Sequence, residues 1–141
     1  MTACPGTYAL ILYNGEPRTI SVGKNGDYWF PKGYYVYTGS AFGSGGLAAR
    51  VGRHLKSGKL LRWHIDYLTS CLSVVRVWHT RHPEPRECLW AGNFETIGGT
   101  ITVPGFGSSD CRCRSHLFQF DQLPRLSAFR QLTSPVSSRI S

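Results

Sequence analysis

Two tyrosine triplets, Gly6-Thr7-Tyr8 and Tyr37-Thr38-Gly39, precede a basic stretch, Leu47-Ala48-Ala49-Arg50-Val51-Gly52-Arg53-His54, and one later carboxylate, Glu87, has the chemistry to join them. Phenols orient and exchange protons, a guanidinium neutralises phosphate, an imidazole relays a proton and a carboxylate anchors a divalent cation. Hydrolysis of a phosphodiester needs these services: a nucleophilic water, neutralised charge on the phosphate and help for the leaving oxygen. The plainer alternative is that strand tyrosines only pack against cross-strand neighbours and that basic helix residues face solvent. Two features weigh against it. Both tyrosine triplets contain glycine, which lets a backbone or ligand come close, and the basic stretch follows the second triplet after a glycine-rich loop at 43–46.

These groups need elements to hold them. Residues 7–13 form a β-branched and aromatic run, a buried strand; 18–22 read as a second short strand, 24–27 as a hairpin turn and 34–38 as another strand. The opening section therefore predicts an antiparallel meander. Ser44 stands where it can cap the helix that follows, whose buried stripe is Leu47, Val51 and Leu55 and which runs to about residue 56. Arg50 and His54, four apart, share a second face of that helix, and Arg50 lies in its first turn, where backbone amides favour anions. Arg53 lies off that face, as an outer phosphate-backbone contact or a solvated residue.

Further on, 63–69 read as a helix, 72–78 as a strand and 87–94 as a helix started by Pro83 and Pro85, while 101–103 and 117–120 add strands or an edge. Beyond residue 124, Ser, Arg, Gln and Pro dominate without periodicity. The chain thus divides into a domain at 1–123 and a flexible tail at 124–141, with an α/β fold built on a small, mainly antiparallel sheet flanked by helices.

Composition narrows the class. A hydrophobic share of 41% suits a globular chain rather than a disordered one. No apolar run approaches the roughly 20 residues of a membrane helix, and the first residues lack the basic and apolar regions of a signal peptide, so the expectation is a cytoplasmic protein with no membrane partner. The formal charge is +8, from 16 basic and 8 acidic residues. Most of the bases are Arg, whose planar fork suits phosphate, so a polyanionic partner is expected. Five cysteines, an odd number in a chain of this length, fit reduced thiols better than a disulfide framework.

The ordered set Gly6-Thr7-Tyr8, Tyr37-Thr38-Gly39, Arg50, His54 and Glu87 resembles the signature of the GIY-YIG nuclease superfamily. The likeness is greatest to its small stand-alone Uri-type branch, a domain of unknown function. Tyr37-Thr-Gly-Ser-Ala41, Trp63-His-Ile-Asp-Tyr-Leu68, Glu87-Cys88, Gly105-Phe-Gly-Ser-Ser-Asp-Cys-Arg-Cys113 and Ser115-His-Leu-Phe118 add to it, so that it spans roughly residues 5–120. Thr stands where the superfamily has Ile in the middle of both triplets; being β-branched as well, it should keep the strand geometry.

The resemblance implies a metal-dependent endonuclease acting on DNA, single-stranded DNA by preference, with RNA left open. Glu87 would bind Mg2+ or Mn2+, Tyr8 would help deprotonate the attacking water, Tyr37 would orient water or phosphate, Arg50 would stabilise the transition state, and His54 would hydrogen-bond or relay a proton. A phenol used as a base requires a pKa lowered by a neighbouring cation. His64 and Asp66 are expected to be mainly structural, although His64 could reach the substrate; Trp29, Tyr34 and Trp63 could stack bases if exposed.

Cys111-Arg112-Cys113 with His116, joined by Cys88, raises a zinc reading, but Cys-x-Cys is poor spacing for a standard tetrahedral site. A loop packed near the site with Arg112 and Arg114 facing phosphate fits better. Two competing functions remain: a catalytically silent nucleic-acid-binding module that keeps the basic groove, and a thiol-based metal or redox protein using Cys111 and Cys113.

Overall fold

The computed structural model describes residues 2–108 and 111–130, together with the backbone of residues 137–139. In chain order the elements are β1 (Gly6–Asn14), β2 (Arg18–Ser21), β3 (Asp27–Phe30), β4 (Gly33–Ala41), α1 (Gly46–Leu55), α2 (His64–Thr69), β5 (Ser73–Thr80), α3 (Glu87–Thr96), β6 (Leu117–Phe120), α4 (Leu126–Arg130) and β7 (Ser137–Arg139). A five-stranded sheet runs in the order β6-β4-β1-β5-β7, antiparallel at every pairing. β1 lies at its centre with both faces covered, which is why its sequence is a nearly unbroken apolar and β-branched run rather than an alternation.

Side chains leave β1 and β4 alternately to two cores. Tyr8, Leu10 and Leu12 share one face with Tyr35, and Leu47, Val51, Ile65 and Leu68 of α1 and α2 cover it. Ala9, Ile11 and Val36 look the other way, toward Trp90 and Phe94 of α3 and Phe129 of α4. This is the α/β arrangement of helices on a small antiparallel sheet that the sequence predicts.

The opening section is not a meander. β1 pairs directly with β4, from Gly6 opposite Ala41 to Asn14 opposite Gly33, while β2 and β3 make a separate two-stranded sheet inserted between them. Asn14 closes the base of the insert: buried at the end of β1, its amide donates to the carbonyls of Phe30 and Pro31 and accepts from Arg18 Nε. The insert packs through Ile20, Val22 and Phe30, too few apolar side chains to form a third layer of the main sheet.

Ser44 does not cap α1. The N-cap is Gly45 in a left-handed conformation, φ 83°, and the amides of Leu47 and Ala48 donate to the carbonyls of Cys4 and Thr2. The N-terminal segment thus occupies the end where an anion was expected, and Arg50 falls in the second turn. Residues 101–103 are not a strand; only Thr100 bridges to Gln119, inside a long connection from α3 to β6. Nor is the whole segment after residue 123 a loose tail: α4 stacks Phe129 on Phe94 with ring centroids 4.3 Å apart, and β7 pairs with β5. The rest of the expected tail, 131–136 and 140–141, lies outside the described residues. Among the described residues no helix is long and apolar enough to cross a membrane.

Candidate functional site

β6 pairs with β4 only from Tyr34 to Tyr37, so the last residues of β4 run on past the end of β6. There α1 and α2 approach from one face and the start of α3 from the other. The result is a cleft of 280 Å³ lined by Tyr8, Tyr37, Arg50 and Glu87 together with Arg62, Trp63 and His64.

Tyr8 stands opposite Gly39 in the β1–β4 ladder, and its ring lies across that glycine: a Cβ at position 39 would come within 2.5 Å of the phenol oxygen. The absent side chain is what lets the ring lie flat and reach His54, whose Nε2 is 2.6 Å from Tyr8 Oη. His54 is 2% exposed, and its Nδ1 has no hydrogen-bond partner among the described residues. Burial, aided by the cations of Lys59, Arg50 and Arg53 against the opposing Asp66, pushes its pKa down to about 3, so the imidazole is neutral. With the imidazole proton on Nδ1, the Tyr8 hydroxyl donates to Nε2 and keeps its oxygen lone pairs available.

The pKa values of Tyr8 and Tyr37 move opposite to what a phenolic base needs. Burial raises both, and Arg50 only partly offsets it. Each phenol therefore starts as the protonated form.

Arg50 Nη1 donates to the Ser40 carbonyl at 3.1 Å, and its guanidinium lies 4.7 Å from the centre of the Trp63 ring. Glu87 enters from the other face as the first residue of α3, where Ser40 Oγ donates to its carboxylate at 3.3 Å. The position of α3 is fixed from β1: the amide of Arg86, its N-cap, donates to the buried hydroxyl of Thr7 at 2.9 Å. Thr38 does the equivalent service on β4, with Oγ1 2.8 Å from His116 Nδ1. The middle threonines of both triplets are thus fully buried hydroxyls that hold the two segments bordering the cleft.

Five residues picked from the sequence therefore come together, His54 from behind Tyr8. Of the outer set, Arg53, Arg112 and Arg114 do not join them. Arg53 is committed to Asp66 through two hydrogen bonds of 2.8 and 3.0 Å. Burial would raise the Asp66 carboxyl, but Arg53 and the amides of Trp63 and Arg62 hold it down to about 2. This pair ties α1 to α2, so Arg53 is structural. Arg114 pairs with Glu95, and Arg112 is exposed outside the cleft. His64 does line the cleft, its Nδ1 accepting from the Gly107 amide at 3.0 Å, which leaves its ring proton on Nε2.

Arg62 was not legible as a cleft residue, because it precedes α2 in a stretch without periodicity. Of the aromatic candidates, Trp63 lines the cleft at 36% exposure, Trp29 is exposed on the insert at 60%, and Tyr34 packs on Tyr13.

All five cysteines are free thiols. Three of them, Cys88, Cys111 and Cys113, gather with His116 beside the cleft, and their ligand atoms all lie within 4.8 Å of one another. Burial holds the Cys88 and Cys113 thiols above their usual range.

No curated protein and no solved structure matches the chain. One family model does, over residues 7–136, which takes in every element from β1 to α4 and all the cleft residues. The chain therefore belongs to the family described as Domain of unknown function DUF123.

Proposed function

We propose that the protein is a divalent-metal-dependent endonuclease of the GIY-YIG type, hydrolysing phosphodiester bonds in DNA and favouring single strands. The observation that supports this most is convergence: Tyr8, Tyr37, Arg50 and Glu87 come from β1, β4, α1 and α3, yet line one cleft, with His54 hydrogen-bonded to Tyr8 behind it. Packing alone has no need of that combination.

The donor set suits a hard cation. Glu87 is the carboxylate of the cleft, with the oxygens of Ser40 and two phenols around it. Magnesium or manganese held by one carboxylate keeps most of its waters and supplies Lewis acidity toward the phosphate. Arg50, already turned to the Ser40 side of the cleft, neutralises the phosphate oxygens as charge builds on them, a role often worth a few kcal/mol. Tyr8 starts protonated, so it serves as a relay: its oxygen takes the proton of the attacking water while its own proton passes to His54 Nε2. The low pKa of His54 keeps the imidazole neutral beforehand, and in the tautomer with its proton on Nδ1 the Nε2 lone pair is open to that proton. Tyr37 orients water or phosphate by its hydroxyl.

Trp63 carries the guanidinium groups of Arg50 and Arg53 over its ring, 4.7 and 4.2 Å from its centre, so its exposed part and these cations together make an aromatic and basic platform for an unpaired base. That platform favours single strands, whose bases are free to turn out.

The test is cleavage of end-labelled single- and double-stranded DNA with Mg2+, Mn2+ or EDTA, for wild type and Glu87→Ala. Metal-dependent cutting that falls by about 10³-fold in the variant, with DNA binding retained, is the expected result. Binding without cutting on every substrate, RNA included, would replace this reading with the silent binding module.

A further inference from the structure

We propose that Cys88, Cys111, Cys113 and His116 form a closed four-ligand zinc site that clamps the long connection before β6 to the first turn of α3. The proposal is separate from the nuclease reading and stands or falls without it.

The connection from the end of α3 at Thr96 to the start of β6 at Leu117 contains no helix or strand among its described residues. Connections of this length inside a compact domain are uncommon unless something other than backbone pairing holds them. Three of the four ligands lie at its far end, and the fourth, Cys88, lies on α3 next to Glu87. Their donor atoms lie within 4.8 Å of one another, against roughly 3.3–3.8 Å between ligands of a tetrahedral zinc with Zn–S near 2.3 Å and Zn–N near 2.0 Å. Closing the widest pair takes about 1 Å, within the reach of a cysteine rotamer.

His116 is set up as a ligand. It is 1% exposed, its Nδ1 is engaged by Thr38 Oγ1 at 2.8 Å, and its Nε2 points at Cys111 Sγ, 3.0 Å away. A metal-binding imidazole usually has its second nitrogen anchored in this way, which fixes the ring and leaves one lone pair for the ion. The Cys-x-Cys spacing that argued against zinc in the sequence covers only two ligands; the fold brings the others from 23 residues before Cys111 and three after Cys113. Three sulfurs and one imidazole select zinc rather than the hard cation suited to Glu87. Cys88 is the exposed member, which gives the ion a way in.

Elemental analysis of the purified full chain should find about one zinc per molecule, released when a mercurial reagent titrates the thiols of the wild-type protein. Exchange with Co2+ should give the intense visible bands of a tetrahedral thiolate site and thiolate-to-cobalt charge transfer in the near ultraviolet. Cys113→Ser and His116→Ala should lose the metal, and Cys71→Ser, away from the cluster, should keep it. Absence of metal from wild type after exposure to zinc, or an octahedral cobalt spectrum, would overturn the proposal. So would a mass 2 Da below the reduced chain with no metal bound, which would make the cluster a redox pair. The wild-type cobalt spectrum decides the matter even where a variant does not fold.

Discussion

At the residue scale the site depends on one buried contact, Tyr8 Oη to His54 Nε2 at 2.6 Å. If Tyr8 relays the water proton, Tyr8→Phe should lower cleavage by about 10²- to 10⁴-fold while leaving DNA affinity nearly unchanged. It should also lower stability by about 1–3 kcal/mol, because His54 Nε2 is then buried without a partner. Single-turnover cleavage and urea unfolding measure the two effects; full cleavage activity in the variant would remove Tyr8 from the chemistry. Gly39→Ala should act on the same contact without touching either partner, since its Cβ would come within 2.5 Å of the phenol. The residue types of the site were legible because phenols, a guanidinium, an imidazole and a carboxylate are an unusual combination for packing alone. The fate of individual charges was not. Helix spacing sets Arg53 off the face of Arg50, but only the buried carboxylate of Asp66, brought by α2, makes it an ion-pair partner rather than an outer phosphate contact. The members of the thiol cluster were legible, with Cys111 and Cys113 two positions apart and His116 and Cys88 beside them as candidates, but the approach of Cys88 is purely tertiary and no local pattern shows it.

At the element scale the placement of α3 is the sensitive point, because Glu87 and Cys88 both sit in its first turn. Its N-terminus is tied to β1 by the Arg86 amide and Thr7 Oγ1. Thr7→Val keeps the shape and β-branching of the side chain but removes the acceptor, leaving a partly buried N–H unpaired. It should cost about 1–3 kcal/mol and reduce cleavage with little change in DNA binding. Ile, the residue of the resembling superfamily, should behave as Val does; unfolding curves that overlay wild type would show that the bond positions nothing. β1 and β4, as runs of β-branched and aromatic residues, α1, by its four-residue apolar stripe, and α3, by the prolines that precede it, were readable from the chain. Those decided by a single distant contact were not. α4 has five residues and one buried side chain, Phe129, whose burial depends on Phe94 and Trp90 from another element. Likewise, nothing local in 18–30 distinguishes strands that continue a sheet from an insert closed off by Asn14.

For the whole molecule, the buried imidazole and carboxylate set how the fold responds to acid. His54 has a folded pKa of about 3 against an ordinary value of 6.5, so protons bind the unfolded chain first. Its contribution is intact above pH 6.5 and is lost as pH falls toward 3, at about 1.4 kcal/mol per pH unit. Asp66, held down to about 2 from 3.8, adds its loss only below about pH 4. Acid unfolding should therefore begin with the histidine. His54→Gln keeps a hydrogen-bonding partner for Tyr8 but cannot ionise, so it isolates this term while every other titrating group is shared with wild type. Near pH 7 the variant should be the less stable protein, because its amide fits the imidazole site imperfectly. By pH 5 the gap should have closed by about 2 kcal/mol, since wild type alone bears the cost of keeping the imidazole neutral. Urea unfolding of both proteins from pH 7 to 4 reads this directly. Parallel stability curves would mean that His54 takes up its proton inside the folded protein as readily as in the unfolded chain, so that burial does not hold its pKa down.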